Sequence, residues 1–292
     1  MRTGFAGLGL MGLPMAGRLC AAGFDMMVYN RSPGPAEALR ALGAKVADTA
    51  GALFAGCDTV ILMLANDGAV DAVLDRDGPD FGDRMQGRLI INMGTHAPIF
   101  SHRLEQDIRA VGGSFVEAPV SGSRLPAEAG ELVAMLAGEA GAIERAHPLL
   151  APICRDIVAI GAVPSALSMK LAVNLYLIAS VAALAEAASL ARALDLAPED
   201  FQQVIASGPL ASNVALSKLD KMTRRDFAPQ AAIHDVCKNA ALVAEAAAGT
   251  KGAYPLITQS RRLFETVRAA GGGRLDMAAV ISAFETGSGQ RA

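Results

Sequence analysis

The stretch from Ser165 to Ala197 contains neither glycine nor proline, and it is bounded by Pro164 and Pro198. Alanine and leucine, which dominate it, are the best intrinsic helix formers. We therefore predict one helix of about 28 residues within residues 165–194, which makes it about 42 Å long. Such a helix can cross from one domain into another. Because it is apolar nearly all round, we expect it to be buried nearly all round.

Two polar side chains interrupt this helix near its start. Lys170 and Asn174 are four residues apart, so they share one helix face. A lysine on a buried helix is costly unless it is paired or used. Lys170 is therefore either half of a structural salt bridge or the acid–base group of an active site.

The chain of 292 residues exceeds the size at which a single core stops growing, which predicts two domains. Residues 1–162 alternate strand and helix patterns, which indicates an α/β doubly wound sheet, mostly parallel, with helices on both faces. The predicted strands are Thr3–Ala6, Asp25–Tyr29, Thr59–Leu64, Leu89–Asn92, Ser114–Glu117, Leu132–Leu136 and Asp156–Ile160.

After Pro164 the strand signals cease, so residues 163–292 are predicted to form an all-α C-terminal domain. The polar tail Gly287–Ala292 is expected to be disordered. The predicted helices are Ser165–Leu194, Pro198–Ala206, Ala215–Leu219, Pro229–Ala248, Pro255–Ala270 and Asp276–Glu285.

Composition excludes several classes of partner. The net charge is -3 and no basic run is present, which argues against nucleic acid or an anionic membrane. The apolar run between Lys170 and Glu186 is shorter than the about 20 residues that a bilayer span needs. The four cysteines lie far apart, which favours free thiols in a reducing cytoplasm, and the four histidines indicate no metal site. We predict a soluble, cytoplasmic protein.

A GxGxxG pattern follows the first predicted strand and opens the next predicted helix: Gly7-Leu8-Gly9-Leu10-Met11-Gly12. In that context the pattern is a dinucleotide-binding fingerprint. Gly7 permits the tight turn, Gly9 lets the backbone approach the pyrophosphate, and Gly12 lets the helix pack on the strand. We favour this interpretation over a glycine-rich turn without a ligand. Met63 and Leu64, at the end of a later predicted strand, are also assigned to cofactor binding.

The residues at the end of the second strand determine which cofactor is preferred. An NAD enzyme places an acidic residue there for the ribose hydroxyls, whereas this chain has Asn30-Arg31-Ser32. A guanidinium can pair bidentately with a 2′-phosphate, and a serine hydroxyl can donate to it. The segment therefore favours NADP over NAD. The alternative is a solvated turn.

Two further loops follow strands of the first domain, where ligands of open α/β folds gather. Ser121, Gly122 and Ser123 can offer N–H groups and hydroxyls to a small anion, although an ordinary loop is the alternative. Arg124 is expected to be solvent-exposed. Thr95 either lines the nicotinamide end of the cofactor or caps the next helix.

Four motifs together resemble the β-hydroxyacid dehydrogenase family, over nearly the whole chain. They are Gly7–Leu19, Glu117–Gly130, Met169–Asn174 and the helix that bears Lys238. That family includes 3-hydroxyisobutyrate dehydrogenases and glyoxylate/succinic semialdehyde reductases. Ser123 followed by a basic residue and Pro126-Ala127-Glu128, together with Asn30-Arg31-Ser32, resembles the latter branch.

The resemblance implies a Rossmann domain joined by a long helix to an all-helical domain. It implies that Lys170 is the catalytic lysine and Asn174 its helper, that Ser121, Gly122 and Thr95 belong to the substrate site, and that Lys238 lies close to the cofactor. Four features differ from the family's usual pattern: Gly94, Ala231, Asn239, and the approach to the long helix, Gly161-Ala162-Val163-Pro164, which has fewer glycines.

These observations predict an NADPH-dependent reductase of a small carboxylate-bearing aldehyde or keto acid, in which Lys170 protonates the developing alkoxide. The rivals are an NAD-dependent 3-hydroxy acid dehydrogenase and a cofactor-binding scaffold protein without turnover. The intact Lys170 weighs against imine reduction. The apolar surface of the long helix predicts a homodimer or homotetramer.

Overall fold

The computed structural model describes residues 2–285, and the predicted tail Gly287–Ala292 lies outside them. The chain forms two compact units, of which the first ends at Lys170 and the second begins at Leu171. The long helix predicted from the sequence contains this boundary within its first two turns.

The first unit is built on a sheet of nine strands. The strands are β1 Thr3–Ala6, β2 Met26–Tyr29, β3 Lys45–Val46, β4 Thr59–Leu62, β5 Leu89–Asn92, β6 Ser114–Glu117, β7 Val120–Ser121, β8 Leu132–Gly138 and β9 Cys154–Gly161.

Strand order defines the class of fold. The order is β3-β2-β1-β4-β5-β6-β8-β7, with β9 paired to β8. The strands from β3 to β6 in this order are mutually parallel, and β8 joins β6 antiparallel. The order 3-2-1-4-5-6 is that of the doubly wound dinucleotide-binding fold, and the chain reverses its direction of travel between β1 and β4. The predicted α/β fold is confirmed.

Helices cover both faces of this sheet, which explains why β1, β4 and β5 are buried at every residue instead of alternating. Phe5, Ile61 and Ile91 from these strands belong to one core with Met15 and Leu19. The helices of this unit are α1 Gly12–Ala21, α2 Gly34–Arg40, α3 Ala50–Ala55, α4 Asp67–Leu74, α5 Phe81–Met85, α6 Pro98–Ala110, α7 Arg124–Ala129 and α8 Ala140–Leu150.

The long helix, α9, runs from Ser165 to Ala193, as predicted to within one residue. The expectation that it is buried nearly all round is wrong, since Tyr176 is 76% exposed and Leu190 is 60% exposed. Its buried residues Ile178, Val181 and Ala185 recur at helical spacing, so the core of the second unit packs against one face only. By length and composition alone α9 could span a membrane, but one such helix is weak evidence.

The second unit is helical, as predicted. Beyond α9 its helices are α10 Pro198–Ser207, α11 Asn213–Arg224, α12 Ile233–Ala248, α13 Pro255–Ala269 and α14 Ser282–Glu285, with 3-10 turns at Gly272–Arg274 and Met277–Ile281. Three predicted helices have wrong boundaries, and the one predicted over Ala215–Leu219 runs from Asn213 to Arg224. The helix predicted over Pro229–Ala248 begins at Ile233, and the one predicted over Asp276–Glu285 is largely a 3-10 turn.

A buried ion pair lies between the chain before α12 and the chain before the second 3-10 turn. Asp276 is fully buried, and its carboxylate lies 2.9 Å from the Lys218 ammonium. The same carboxylate accepts backbone N–H groups from Gln230, Ala231 and Ala278. Burial alone would raise the pKa of Asp276, but Lys218 and these N–H groups hold it below its usual value. Ala232 is extended and forms an antiparallel β-bridge with Asp276, so the chain enters α12 only at Ile233.

Candidate functional site

The glycine loop after β1 is shaped by a close approach to the chain that leaves β4. Gly7 has φ +97°, and a Cβ added there would lie 2.2 Å from the carbonyl oxygen of Met63. A side chain at this position is thus excluded by both conformation and space. Gly9 differs, because it is exposed and an added Cβ would meet no atom within 4 Å. The packing of the chain does not require glycine at position 9, which fits a residue over which a ligand's pyrophosphate passes.

The start of α1 keeps backbone donors for such a ligand. No side chain caps the helix at Met11. The first N–H groups of an α-helix have no partner within the helix, and together with the helix dipole they attract an anion. Leu13 donates to the carbonyl of Gly9 and Pro14 has no N–H, so the donors that a pyrophosphate requires come from the loop and the first residue of α1.

Asn30 holds the glycine loop from the side. Its Oδ1 accepts the N–H of Leu8 at 2.9 Å, and its Nδ2 donates to the carbonyl of Ser32 at 2.8 Å. Asn30 thus links the loop after β1 to the end of β2, a contact that the sequence did not predict. Arg31 and Ser32 are exposed, and Arg31 forms no ion pair with another residue of the described chain.

Met63 and Leu64 follow β4 directly and are half-buried. β1 and β4 are parallel neighbours at the point where the strand order reverses, and ligands of this fold bind beyond the carboxyl ends of strands at that point. The loop after β4 and the glycine loop therefore lie side by side at this edge of the sheet.

A buried histidine fixes the loop after β5. His96 is fully buried, and its Nδ1 lies 2.6 Å from a carboxylate oxygen of Asp67, which begins α4. A Cβ added to Gly94 would lie 2.4 Å from His96 Nε2 and 2.9 Å from the carbonyl of Leu64. Gly94 is therefore explained by packing against His96. Thr95 lies between these two residues and is half-buried.

The Ser121–Ser123 loop connects β7 to α7. Ser121 and Ser123 are half-buried and Gly122 is exposed, with φ +130°. Arg124 pairs with Glu128 at 2.7 Å on the surface, in keeping with its predicted exposure. The hydroxyls and N–H groups of this loop are donors of the kind that bind a small anion.

Lys170 is 7% exposed and has no carboxylate partner among residues 2–285. Burial lowers its pKa to about 8. The other buried lysines of the described chain are partnered: Lys218 by Asp276, and Lys221 by the carbonyls of Asp226 and Ala228. The structural salt bridge considered for Lys170 is not formed.

Asn174 follows Lys170 by one turn and is 2% exposed. Its Nδ2 is buried and has no hydrogen-bond partner among the described residues. Such a donor costs about 1–3 kcal/mol unless something accepts from it. On α12, Lys238 and Asn239 are half-buried.

Glu117, which ends β6, was not predicted as a site residue. It is fully buried, and its Oε2 accepts the N–H of Leu167 in the first turn of α9 at 3.2 Å. Burial raises the pKa of this carboxyl to about 7, against the opposing effect of its hydrogen bonds. The one signal in the sequence was its position, because Glu117 is the acidic first residue of the Glu117–Gly130 motif.

The structure brings most of the predicted cofactor residues to one edge. The glycine loop, Asn30–Ser32, Met63–Leu64 and Thr95 follow β1, β2, β4 and β5, which are parallel. Lys170 is the last residue of the first unit, whereas Asn174 and Lys238 belong to the second. No cluster of three or more metal-ligating side chains occurs within residues 2–285.

A doubly wound parallel sheet with a glycine loop where the strand order reverses defines the class of dinucleotide-binding proteins. Residues 2–161 match the model of the NAD binding domain of 6-phosphogluconate dehydrogenase. Residues 165–284 match the model described as NAD-binding of NADP-dependent 3-hydroxyisobutyrate dehydrogenase. The chain belongs to the β-hydroxyacid dehydrogenase family, whose members are dehydrogenases and reductases that bind a pyridine nucleotide.

Relatives match along nearly the entire chain. Glyoxylate/succinic semialdehyde reductase 2, chloroplastic, of Arabidopsis thaliana is 29% identical over 99% of this chain and 81% of its own. The structure of a 3-hydroxyisobutyrate dehydrogenase from Salmonella typhimurium is similar with a TM-score of 0.88, at 26% identity over 97% of this chain and 99% of that one. Psf3 in complex with NADP+ and 2-OPP is similar with a TM-score of 0.89, at 27% identity over 96% and 99%.

The contact between Gly94 and His96 predicts a measurable coupling. Gly94→Ala should lower the free energy of unfolding by about 1–3 kcal/mol, because the added Cβ overpacks against His96 and the Leu64 carbonyl. In a His96→Ala background the same substitution should cost less, with a coupling energy of about 0.5–3 kcal/mol. Urea unfolding of the wild type, both single variants and the double variant measures this difference.

Gly9→Ala is the matched control, because a Cβ there meets no atom within 4 Å. Its unfolding free energy should stay within about 1 kcal/mol of the wild type. Strict additivity of the Gly94 and His96 substitutions would show that the two residues do not press on each other.

Proposed function

We propose that this protein is an NADPH-dependent reductase of a small carboxylate-bearing aldehyde or keto acid, of the glyoxylate/succinic semialdehyde type. The observation that carries the proposal is Lys170, a buried ammonium without a counter-ion in the described chain. An unpaired buried charge is costly and is retained in proteins chiefly where chemistry uses it.

Lys170 has the properties of a general acid for carbonyl reduction. With a pKa of about 8, it is mostly protonated at neutral pH and still able to release its proton. A donor whose pKa lies near the working pH is the most effective one. In the proposed reaction Lys170 gives its proton to the oxygen that becomes the alcohol, and in the reverse direction it takes that proton back.

The first unit would hold the cofactor, and NADPH, when bound, would supply the hydride. The N–H groups of the Gly7–Gly12 loop and of the α1 start would bind the pyrophosphate. Exposed Arg31 has no ion pair of its own in the described chain and would bind the 2′-phosphate together with Ser32. Support comes from Psf3, a structural neighbour in complex with NADP+. Met63, Leu64 and Thr95 would line the same cofactor site, and by family resemblance Lys238 would lie close to the cofactor.

The remaining predicted residues would hold the substrate. The donors of Ser121, Gly122 and Ser123 would bind its carboxylate, which aligns the carbonyl for reaction. Asn174 has an unpartnered buried amide donor one turn from Lys170. That donor would bind the substrate oxygen and steady it during proton transfer.

An NAD-dependent 3-hydroxy acid dehydrogenase is the second candidate. It is favoured by the similarity to the solved 3-hydroxyisobutyrate dehydrogenase and by the ability of Lys170 to act as a base. Turnover of glyoxylate, succinic semialdehyde, tartronate semialdehyde and methylmalonate semialdehyde, each with NADPH and NADH, separates the two candidates. Absence of turnover with all of them would favour a binding protein.

Lys170→Ala should lower kcat by about 10²–10⁴-fold, the usual contribution of a general acid. NADPH affinity should change little and the melting temperature should not fall, because no ion pair is lost and an unpaired buried charge is removed. Lys170→Arg should not restore the rate, since a guanidinium keeps its proton. In the wild type, kcat/KM for reduction should fall above about pH 8, where Lys170 deprotonates, while oxidation of the alcohol should rise.

Lys251→Ala, which removes an exposed lysine, is the control and should leave kcat unchanged. Steady-state kinetics and melting curves on the same preparations decide the matter. A stable Lys170→Ala protein with near-normal kcat would remove the basis of the proposed mechanism.

Arg31→Ala should weaken NADPH binding while sparing NADH. The loss of a charge-assisted pair with the 2′-phosphate should cost about 1.5–3 kcal/mol. Cofactor titration by fluorescence measures both affinities, with Arg40→Ala, another exposed arginine nearby, as the control. Equal losses with NADPH and NADH would show that Arg31 does not read the phosphate.

We further propose that the protein is a cytoplasmic homodimer or homotetramer. Tyr176, Ala183 and Leu190 of α9 are exposed and lie seven residues apart, so they form an apolar stripe along one face. A second copy of the chain would cover this stripe. The four cysteines are free thiols, which supports a reducing compartment.

Sedimentation should therefore give a dimer or tetramer, and Leu190→Arg should shift it towards the monomer. Leu42→Arg, at an exposed leucine of the first unit, should leave the assembly intact. A wild type that sediments as a monomer at all concentrations would contradict the assembly.

A further inference from the structure

The buried carboxyl of Glu117 accepts hydrogen bonds from the start of α9. Its Oε2 accepts the N–H of Leu167 at 3.2 Å, and the N–H of Ala166 also acts on the carboxyl. Both residues lie in the first turn of α9, where backbone N–H groups have no partner within the helix. Glu117, at the end of a strand, therefore caps this helix, a role that a side chain next to the helix start usually has.

The contact is rigid at both ends. Glu117 ends β6, which is paired with β5 on one side and β8 on the other. Ala166 and Leu167 are 0% and 1% exposed. A hydrogen bond between a central strand and a buried first turn fixes both the height and the rotation of that turn relative to the sheet.

Lys170 comes three residues after Leu167, within the next turn of the same helix. Any shift of the first turn therefore moves the Lys170 ammonium. Burial, not a neighbouring charge, is what lowers the pKa of Lys170. The effect of Glu117 on Lys170 thus passes through the backbone, and Glu105 on α6 is the charged group that acts on the Glu117 carboxyl.

We propose that Glu117 is a positioning residue for the catalytic lysine: as a hydrogen-bond acceptor at the start of α9, it sets where Lys170 stands. The proposal rests on the proposed role of Lys170. What matters is the acceptor oxygen, because Oε2 receives the Leu167 N–H, while the Ser101 hydroxyl on α6 also acts on the carboxyl.

Three substitutions separate the acceptor from the charge. Glu117→Gln keeps an oxygen at the same reach and should retain kcat close to that of the wild type. Glu117→Leu removes the acceptor, and Glu117→Asp withdraws it by one methylene. Both should lower kcat by about 10–100-fold, the effect of displacing a reacting group by about 1 Å. NADPH affinity should stay unchanged in all three, because the glycine loop is untouched.

The measurements are kcat, KM, the NADPH dissociation constant and the melting curve for each holoenzyme, with glyoxylate and succinic semialdehyde as substrates. Glu144→Gln, at an exposed glutamate of α8, is the matched control. Glu117→Asp decides the question if Glu117→Leu does not fold. The rescue by glutamine distinguishes positioning from a general loss of stability.

Lys170→Ala is measured in parallel so that the two proposals can fail separately. An inactive Lys170→Ala enzyme beside normal kcat in Glu117→Leu and Glu117→Asp would overturn the role of Glu117 alone. Loss of kcat in Glu117→Gln equal to that in Glu117→Leu would overturn it too. Normal kcat in Lys170→Ala would overturn the proposed function, and the role of Glu117 with it.

Discussion

The desolvated ammonium of Lys170 is the constraint around which this molecule is arranged. A charge kept from water without a counter-ion destabilises the fold, and the surrounding structure must supply that free energy. The first unit does so through a sheet whose central strands are completely buried. The helix that carries the lysine begins next to the carboxyl end of β6, where Glu117 accepts an N–H group of its first turn.

The second unit shows what a buried lysine looks like when its role is structural. Lys218 lies against a carboxylate that also collects three backbone N–H groups. Removing either partner would leave the other charge unpaired in the core, which is why such pairs are strong local determinants of structure. Lys218 and Lys170, which are about equally buried, thus differ in that only Lys218 has a carboxylate partner among the described residues.

The sequence predicted the class of the fold because its strongest signals are local. Prolines bound the long helix, and the glycine fingerprint requires a strand before it and a helix after it. The errors came from contacts between residues far apart in the chain. Asp276 delays the start of α12 across 45 residues, and the short elements β3, β7, α3, α5 and α7 carry too few residues for a periodic pattern.

The candidate site was predictable to a similar extent. Lys170 and Asn174 stand out as residue types that do not suit an apolar helix unless something uses them. His96 and Glu117 do not stand out, because their significance lies in what they touch: the Cβ space of Gly94 and the N–H of Leu167. No property of the isolated side chains reveals either contact.

The two hydrogen bonds of Asn30 limit how cofactor preference can be re-engineered or can evolve. Proteins that bind NAD carry an acidic residue at the end of the second strand, where it binds the ribose hydroxyls. Aspartate at position 30 could still accept the Leu8 N–H, but it would set a carboxylate against the Ser32 carbonyl, which now receives the Asn30 amide. The same side chain that would select the ribose also secures the glycine loop. Cofactor preference is therefore easier to change through the side chains of residues 31 and 32, which do not hold the glycine loop.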